Sequence, residues 1–306
     1  MSALFDATRA LLAQEGLAPR KRLGQNFLVD AGIVERMVAC AEVSAEDAVL
    51  EIGPGLGALT DVLATRAKQL YLVEYDRGFC GVLRRKFADS AHVEVIEGDA
   101  VRLDLVAAVR EPRVKVVASL PYNAAVSILF RLVDARRTFP EATVMLQREV
   151  ADRLVAPAGT RAYGAPSVLF QLYARLLNRF RVPSAAFYPR PQVVSEVLKV
   201  EFTEDPSFPV DDSGTLVAIV RAAFGQRRKM LHNTLQTIGV PDATPEVWRE
   251  VLEAAGIDGS VRGETLEIEA FVTLANAAAA RLGTGVVGSA PKGARRRGAN
   301  ARTPGG

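Results

Sequence analysis

Short apolar segments alternate with amphipathic segments along the first two thirds of the chain. Six short segments are rich in apolar residues, and the first two end in glycine or aspartate: DAVLEIG, QLYLVEYD, HVEVIEGDA, VKVVASLPY, ATVMLQ and VSEVLKVEF. Stretches with helical spacing, such as GALTDVLATRAK and RGFCGVLRRKFAD, lie between the first of these. Strands that alternate with helices predict an α/β domain with a mostly parallel sheet and helices on both faces.

The pattern changes after the stretch EFTEDPSFPVDD, which has the composition of a linker. From about Ser213 to Leu282 only helical periodicity remains. We therefore expect an α/β domain over residues 1–205 and a small all-helical domain over residues 206–282. Residues 283–306 are rich in Gly, Ala, Pro and Arg and are predicted to form a disordered basic tail.

Composition and charge narrow the class of protein. With 306 residues, 49% of them hydrophobic and 24% charged, the chain has the composition of a globular protein. No apolar run approaches the ~18–20 residues of a membrane span, and the N-terminus does not resemble a signal peptide. Cys40 and Cys80 lack the spacing of a zinc site and are expected to fill the core. These features predict a cytoplasmic protein without a metal or a membrane partner.

The net charge of +3 is unevenly distributed. Beyond Ala280 the chain carries six basic residues and no acid. A basic tail suits a polyanion such as RNA. The alternative is a solubilising tail without a specific role.

The segment VLEIGPGLG is the first candidate for a binding site. Gly53 and Gly55 follow a strand that ends near Glu51, two positions before the first glycine. Glu74, at the end of the next strand, is placed to accept hydrogen bonds from ribose hydroxyl groups. Asp99, in EGDA, is either an adenine contact or a turn or N-cap residue. The GxGxG spacing, the third acid and the SLPY segment favour S-adenosylmethionine over a nicotinamide cofactor, which remains an alternative.

The segment SLPYN predicts where a methyl group is accepted. An adenine amine is a poor nucleophile because its lone pair is delocalised into the ring, and acceptors beside it favour a pyramidal nitrogen. The side chain of Ser119 and the backbone carbonyl of Leu120 or Pro121 are candidate acceptors. Tyr122 offers a ring for stacking on the base. Phe187 or Tyr188, with Phe187 preferred, is expected to cover the other face, and His92 and His232 are assigned no catalytic role.

Seven segments in order resemble one family, the bacterial small-subunit (16S) ribosomal RNA adenine dimethyltransferases of the kasugamycin-resistance type. They are RKRLGQNFLVD, VLEIGPGLGALT, VEYDR, EGDA, SLPYN, AFYPRPQVVSEV and AFGQRRKMLHNTL. The resemblance implies a Rossmann-like class I methyltransferase domain with a mostly parallel seven-stranded sheet. It also implies S-adenosylmethionine as cofactor, contacted by Asn26, Leu28, Gly53, Gly55, Glu74, Asp99 and Ser119.

The resemblance further implies the reaction and its partner. Tyr122 and Phe187 would sandwich the target base. Two methyl groups would be added to the N6 amine of each of two adjacent adenosines near the 3′ end of 16S rRNA, in an immature 30S subunit. Arg227, Arg228 and Lys229 look like phosphate contacts, with Lys21 and Arg22 on the other side; a solvated basic face is the alternative. A monomer is expected on the same ground.

One position departs from the family. Where the family usually has Asn in the LPY motif, this chain has Ser119, whose hydroxyl is shorter and lacks the planar amide acceptor. This departure raises the question of how fast, and how completely, the second methyl group is added. We expect an active enzyme, because the backbone acceptors and both aromatic rings remain.

Two further interpretations stay open. One is an enzyme that methylates one adenine of 23S rRNA and confers macrolide resistance. Such an enzyme would usually carry NIPY, whereas Leu120, KRLGQNFL and AFGQRRKML favour the small-subunit type. The other is a catalytically weakened ribosome-assembly factor, for which Ser119 is the only motive.

Overall fold

The computed structural model describes residues 3–20, 24–240 and 243–285. Within them the chain divides into two compact units at the junction of Ser207 and Phe208, close to the predicted boundary at residue 205. Most of the predicted tail, residues 286–306, lies outside the described residues.

The first unit is organised around a seven-stranded sheet. The strands of this unit are β1 (Phe27–Leu28), β2 (Ala48–Ile52), β3 (Gln69–Glu74), β4 (Val93–Glu97), β5 (Lys115–Ser119), β6 (Glu141–Gln147), β7 (Ala174–Val182), β8 (Phe187–Tyr188) and β9 (Ser195–Phe202). Seven of them form one sheet in the order β4-β3-β2-β5-β6-β9-β7, and β1 pairs with β8 in a small separate ribbon. The first five strands of that order are parallel, and β9 runs antiparallel to β6 and β7. The predicted α/β fold with a mostly parallel sheet is therefore confirmed.

Helices cover both faces of this sheet. They are α1 (Ala3–Gln14), α2 (Ala31–Ala41), α3 (Ala58–Leu63), α4 (Arg77–Lys86), α5 (Ala125–Asp134), α6 (Arg148–Leu154) and α7 (Ala165–Gln171). One core cluster contains Leu50, Val116 and Leu198, and a second contains Val49, Val117 and Val197. Successive residues of a strand thus belong to different clusters, as expected where side chains alternate between two covered faces. This burial on both faces explains why the central strands are apolar runs in the sequence.

Strand β7 is the one strand of the large sheet that the hydrophobic pattern does not reveal. It lies at the edge of the sheet, next to β9 only. Residues 175–178 of β7 are exposed and mix arginine, leucine and asparagine, with a register shift between Leu176 and Asn178. An exposed edge strand needs no continuous apolar face, and hence its sequence lacks the signal used for the other strands.

The second unit is helical over its described residues. Its helices are α8 (Ser213–Gly225), α9 (Leu231–Leu235), α10 (Pro245–Ala254) and α11 (Ile268–Leu282). Asp212 caps α8 by accepting a hydrogen bond from the backbone N–H of Gly214 at 3.0 Å. Trp248 and Phe271 are fully buried. Four amphipathic segments of the sequence thus correspond to helices that bury their apolar faces.

A membrane-spanning helix was not expected from the sequence. Among the described ranges, no helix combines the length and the apolar character that crossing a bilayer requires.

Candidate active site

One cavity of about 510 Å³ opens where the parallel strands of the sheet end. Ligands of open α/β sheets bind at this carboxyl edge, where the loops after neighbouring strands meet. The cavity brings together residues predicted from distant motifs: Asn26, Leu28, Gly53, Gly55, Glu74, Asp99, Ser119, Leu120, Pro121, Tyr122 and Phe187. All of the predicted cofactor and base residues thus line the same space.

A glycine-rich turn contributes Gly53 and Gly55 to the cavity wall. Gly53, Gly55 and Gly57 have φ angles of 71°, 58° and 86°, in the left-handed region that side chains disfavour. A Cβ atom on Gly55 would lie 3.1 Å from the ring of Phe27. The positive φ angle and the tight contact with the Phe27 ring therefore both favour glycine at position 55.

Glu74 holds this turn from the neighbouring strand. Its side chain is buried, with Oε2 accepting a hydrogen bond from the Gly55 N–H at 3.0 Å and Oε1 accepting one from the Asp76 N–H at 2.8 Å. Burial raises the pKa of Glu74, and the two backbone hydrogen bonds oppose that rise. A carboxylate has about four acceptor sites, so Glu74 can still accept hydrogen bonds from ribose hydroxyl groups in the cavity. The glycine turn and this acid form one hydrogen-bonded unit.

Glu51 is a second buried acid of the cavity wall. Its side chain is 1% exposed and accepts a hydrogen bond from the Thr60 hydroxyl at 2.7 Å. Burial raises the pKa of Glu51 to about 8. The sequence motif identified Glu51 only as the acid before the glycines and gave it no role. A cation bound in the cavity beside Glu51 would favour the ionised carboxylate and lower its pKa.

Asp99 has the turn-capping role, one of the two alternatives that the sequence left open, and it also lines the cavity. Its Oδ1 accepts a hydrogen bond from the Val101 N–H at 2.9 Å, as in a turn cap. Oδ2 lies 3.6 Å from Nε of the exposed Arg102. A contact from Asp99 to an adenine therefore remains a prediction, and Oδ2 is the oxygen less committed to the turn.

The N-terminal segment reaches the cavity through Asn26 and Leu28. The side-chain amide of Asn26 donates to the Gly24 carbonyl at 3.0 Å, and Leu28 is buried. In the β1–β8 ribbon Leu28 pairs with Phe187. The GQNFL segment therefore lines the cavity and also anchors one of the two aromatic rings.

The SLPY segment lies directly against the glycine turn. A Cβ atom on Gly53 would be 3.6 Å from the Ser119 carbonyl oxygen and 3.8 Å from Pro121 Cδ. The Leu120 N–H donates to the Met145 carbonyl at 3.0 Å, which fixes the segment to β6. The turn that would hold a cofactor and the segment that would face a base are thus adjacent.

One of the two candidate carbonyl acceptors is already engaged. The Pro121 carbonyl accepts a hydrogen bond from the Ala124 N–H at 3.0 Å, at the start of α5. The Leu120 carbonyl and the Ser119 hydroxyl are therefore the better candidates to accept hydrogens from an amine in the cavity.

The two predicted aromatic rings both line the cavity. Tyr122 is half-buried, and its hydroxyl lies 2.8 Å from Ser195 Oγ. Burial raises the pKa of Tyr122, with the hydrogen bond to Ser195 opposing the rise. Phe187 is 4% exposed. Tyr188 instead packs edge-on against Phe5, with ring centroids 5.4 Å apart, so Phe187 is the ring of this pair that faces the cavity.

Two parts of the cavity wall were not predicted. Leu4, Thr8 and Leu11 of helix α1 line it, whereas the sequence predicted no site role for this segment. The amphipathic spacing of α1 was the available signal. Tyr75 also lines the cavity and is 60% exposed. An exposed tyrosine directly after Glu74, the acid predicted to bind a ribose, is a signal for a stacking surface.

The predicted RNA contacts Arg227, Arg228 and Lys229 belong to the second unit. Arg227, Arg228 and Lys229 are exposed in the segment between α8 and α9, and Arg227 lies 3.3 Å from Glu264. Lys21 and Arg22 lie outside the described residues. Their contacts with RNA remain predictions.

The histidines and cysteines have structural surroundings. His92 Nε2 lies 2.8 Å from the Ala64 carbonyl, and His232 Nδ1 lies 2.9 Å from the Gly259 carbonyl. Cys40 and Cys80 are free thiols, the second fully buried. Among the described residues no three or more His, Cys, Asp or Glu side chains form a group that could hold a metal ion.

Comparisons with known proteins agree on one family. The family model described as ribosomal RNA adenine dimethylase matches residues 16–277. Ribosomal RNA small subunit methyltransferase A of Magnetococcus marinus is 44% identical over 274 residues, which are 89% of this chain and 96% of that protein.

Solved structures share the fold. The crystal structure of a dimethyladenosine transferase from Plasmodium falciparum has a TM-score of 0.70 at 24% identity, covering 82% of this chain and 97% of that one. The crystal structure of the 23S rRNA methyltransferase ErmE has a TM-score of 0.60 at 24% identity, covering 84% and 99%. Since a dimethyladenosine transferase and a 23S rRNA methyltransferase both have this fold, the fold alone does not identify the substrate.

Proposed function

This chain belongs to the ribosomal RNA adenine dimethylase family, and we propose that it dimethylates two adjacent adenosines near the 3′ end of 16S rRNA in the immature 30S subunit. The reaction would take place in the cavity described above. The chain is an S-adenosylmethionine-dependent ribosomal RNA adenine dimethyltransferase. One observation carries the proposal: Tyr122 and Phe187 line the same cavity as the glycine turn and Glu74. A base held by these rings would face a cofactor held by the turn.

The residues of the cavity suit S-adenosylmethionine. The left-handed glycines leave a cradle that a Cβ atom would disturb, and Glu74 and Asp99 present carboxylate oxygens at two neighbouring strand ends. In our proposal Asn26, Leu28, Gly53, Gly55 and Ser119 contact the cofactor, Glu74 accepts from its ribose and Asp99 from its adenine. When bound, this cofactor supplies a methyl group that is already activated by a sulfonium, so the protein mainly positions the reactants.

The other end of the cavity would prepare the base. Tyr122 and Phe187 hold an extruded adenine between their faces, which offsets part of the cost of unstacking it from the RNA. The Leu120 carbonyl and the Ser119 hydroxyl accept the hydrogens of the N6 amine and favour its pyramidal form. Rings and acceptors together place the nitrogen for in-line attack.

Recognition of the ribosomal particle would rest on basic residues elsewhere. We propose that Arg227, Arg228 and Lys229 contact phosphates in 16S rRNA, with Lys21 and Arg22 contacting them from the first unit. Among the described residues, the structure shows no acid paired with Arg228 or Lys229, which leaves both available to phosphates. We place the activity in the cytoplasm, on a monomer that requires neither a metal nor a membrane.

Ser119 bears on how complete the reaction is. We propose that the enzyme is active, because the Leu120 carbonyl does not depend on the residue at 119. A serine hydroxyl reaches less far into the cavity than an asparagine amide, so we expect the second methyl transfer to be the slower step.

The test compares two RNA substrates. Immature small subunits without dimethyladenosine and protein-free 23S rRNA are each incubated with the enzyme and S-adenosylmethionine, and the RNA is mapped by mass. We expect dimethylated adenosines at two adjacent positions of 16S rRNA. Methylation of 23S rRNA in preference, or tight binding of small subunits without transfer, would overturn the proposal.

A further inference from the structure

The two rings of the cavity are fixed in different ways. Phe187 belongs to a buried apolar cluster with Val182 and Val197, and its backbone pairs with Leu28. Tyr122 lies in the loop between β5 and α5 and is only half-buried. Its hydroxyl makes one hydrogen bond, to Ser195 Oγ at 2.8 Å. Packing therefore holds one ring, whereas a hydrogen bond tethers the far end of the other.

Ser195 is a rigid anchor for this hydrogen bond. It is fully buried at the first position of β9 and pairs with Gln147 of β6 on one side and Val182 of β7 on the other. A serine side chain has a single heavy-atom torsion, so the position of its Oγ follows closely from the backbone. The sheet thus fixes the position of Ser195 Oγ, and its hydrogen bond fixes the position of the Tyr122 hydroxyl, although Tyr122 lies in a loop.

A serine is unexpected at this place in the sheet. By strand alternation Ser195 shares its face with Val197, which is part of the apolar cluster around Phe187. Burying a hydroxyl group among apolar side chains is unfavourable unless the group is hydrogen-bonded, and alanine would avoid that cost. The hydrogen bond to Tyr122 explains why a hydroxyl group is retained there.

We propose that Ser195 is a positioning residue for methyl transfer, which acts by holding the ring of Tyr122 in one orientation against the target adenine. This inference rests on the proposed function of the cavity. A hydrogen bond at the phenolic end prevents the ring from tilting about its Cα–Cβ bond. A tilted ring would still stack on the base but would displace its amine from the line of attack. Because two methyl groups are transferred in succession to the same amine, the Tyr122 ring must hold the adenine in the same plane for both transfers.

The experiment removes the hydrogen bond from each end. Ser195→Ala and Tyr122→Phe are compared with their double variant in single-turnover and steady-state assays on immature small subunits. We expect each variant to lower kcat about 3- to 10-fold, since one side-chain hydrogen bond is worth about 0.5–1.5 kcal/mol. The KM values should change less than about twofold, and the fraction of monomethylated adenosine should rise. The double variant should be no slower than the slower single variant, because both changes delete one interaction.

A matched control separates positioning from folding. Ser167 is equally buried in the first unit, with its hydroxyl donating to the Arg153 carbonyl at 2.5 Å and accepting from the Gly164 N–H at 3.0 Å, and it does not line the cavity. Ser167→Ala should lower the thermal stability but leave kcat and the monomethylated fraction unchanged.

Several outcomes would overturn the inference. They are wild-type kcat in Ser195→Ala or in Tyr122→Phe, multiplicative losses in the double variant, a rise of KM alone, or an equal loss of kcat in Ser167→Ala. If Ser195→Ala does not fold, Tyr122→Phe alone decides, and unchanged kcat there rejects the inference. A wild-type enzyme that transfers no methyl group would instead reject the proposed function.

Discussion

The two ends of the cavity are built in contrasting ways. The proposed donor end, where we place the cofactor around Gly53, Gly55 and Glu74, comes from consecutive strand–loop–helix units. Its main hydrogen bond joins residues 19 positions apart. The base end depends on distant partners: Tyr122 bonds to Ser195, 73 positions away, and Phe187 pairs with Leu28. Local chain geometry therefore forms the first end, and tertiary packing forms the second.

Because of this contrast, cofactor binding and methyl transfer should be impaired by different substitutions. Damage to the glycine turn should weaken cofactor binding, whereas damage to the rings should slow transfer with the cofactor still bound. Each of the following changes is directed at one end, with the other end as its reference.

The largest effect is expected for Tyr122→Ala. It removes a stacking surface worth about 1–3 kcal/mol per base and leaves Ser195 without its partner. Methyl transfer should fall about 100-fold, with S-adenosylhomocysteine binding within about twofold of wild type by calorimetry. Tyr173→Ala, which removes a half-buried tyrosine stacked on Arg136 outside the cavity, is the matched control and should keep activity. A comparable loss of cofactor affinity in Tyr122→Ala would mean that the two ends are not separable.

A smaller effect is expected for Gly55→Ala at the donor end. The added Cβ atom sits at a strained φ of 58° and 3.1 Å from the Phe27 ring, so either the ring or the turn must move by a few tenths of an ångström. S-adenosylhomocysteine affinity should fall about 10- to 30-fold. Gly159→Ala carries a similar strain, at φ 78° with nothing within 4 Å of the new Cβ, and should lose stability without losing affinity. Equal affinities for the two variants would contradict the assigned role of the turn.

A change of several-fold is expected for Ser119→Asn. The longer amide restores a planar acceptor beside the target amine, so the rate of the second methyl transfer should rise about 2- to 10-fold. Quantifying mono- and dimethyladenosine over time measures this directly. A flat or reduced rate would show that the serine does not limit the reaction.

The smallest effect concerns the pH dependence of stability. Burial raises the pKa of Glu51 from 4.5 to about 8 in the folded protein, so folding favours its protonated form. The stability it contributes is complete below about pH 4.5 and is lost as pH rises through 8. The melting temperature of Glu51→Gln should therefore gain a few degrees relative to wild type between pH 6 and pH 9. A constant difference across this interval would mean that Glu51 is already ionised.

The sequence predicted the donor end better than the base end for a physical reason. The places of Gly53, Gly55 and Glu74 are set by the local backbone conformation and by the ends of neighbouring strands. Such positions appear in the sequence as a motif of closely spaced residues. The strands β2, β3 and β5 are covered on both faces and appear as apolar runs. The edge strand β7 is partly exposed, so it does not require a continuous apolar sequence, and the sequence did not predict it. The exposed mixture in residues 175–178 could not distinguish a strand from a loop.

At the base end, the sequence predicted the residues and their roles, but not the contacts that hold them in place. Tyr122 and Phe187 came from motifs, but that Phe187 and not Tyr188 faces the cavity depends on the β1–β8 ribbon. Nothing near Ser195 in the sequence indicates Tyr122 as its partner, because the bond exists only after β9 has paired with β6 and β7. The engagement of the Pro121 carbonyl by Ala124 is likewise a consequence of where α5 begins.

The central claim is that the cavity holds the cofactor and the target base next to each other. A crystal structure with S-adenosylhomocysteine and adenosine bound together tests this claim most directly. We expect the cofactor on the Gly53–Gly55 turn, with its sulfur facing an adenine held between Tyr122 and Phe187. Adenosine bound elsewhere, or the two rings turned away from the sulfur, would contradict this claim.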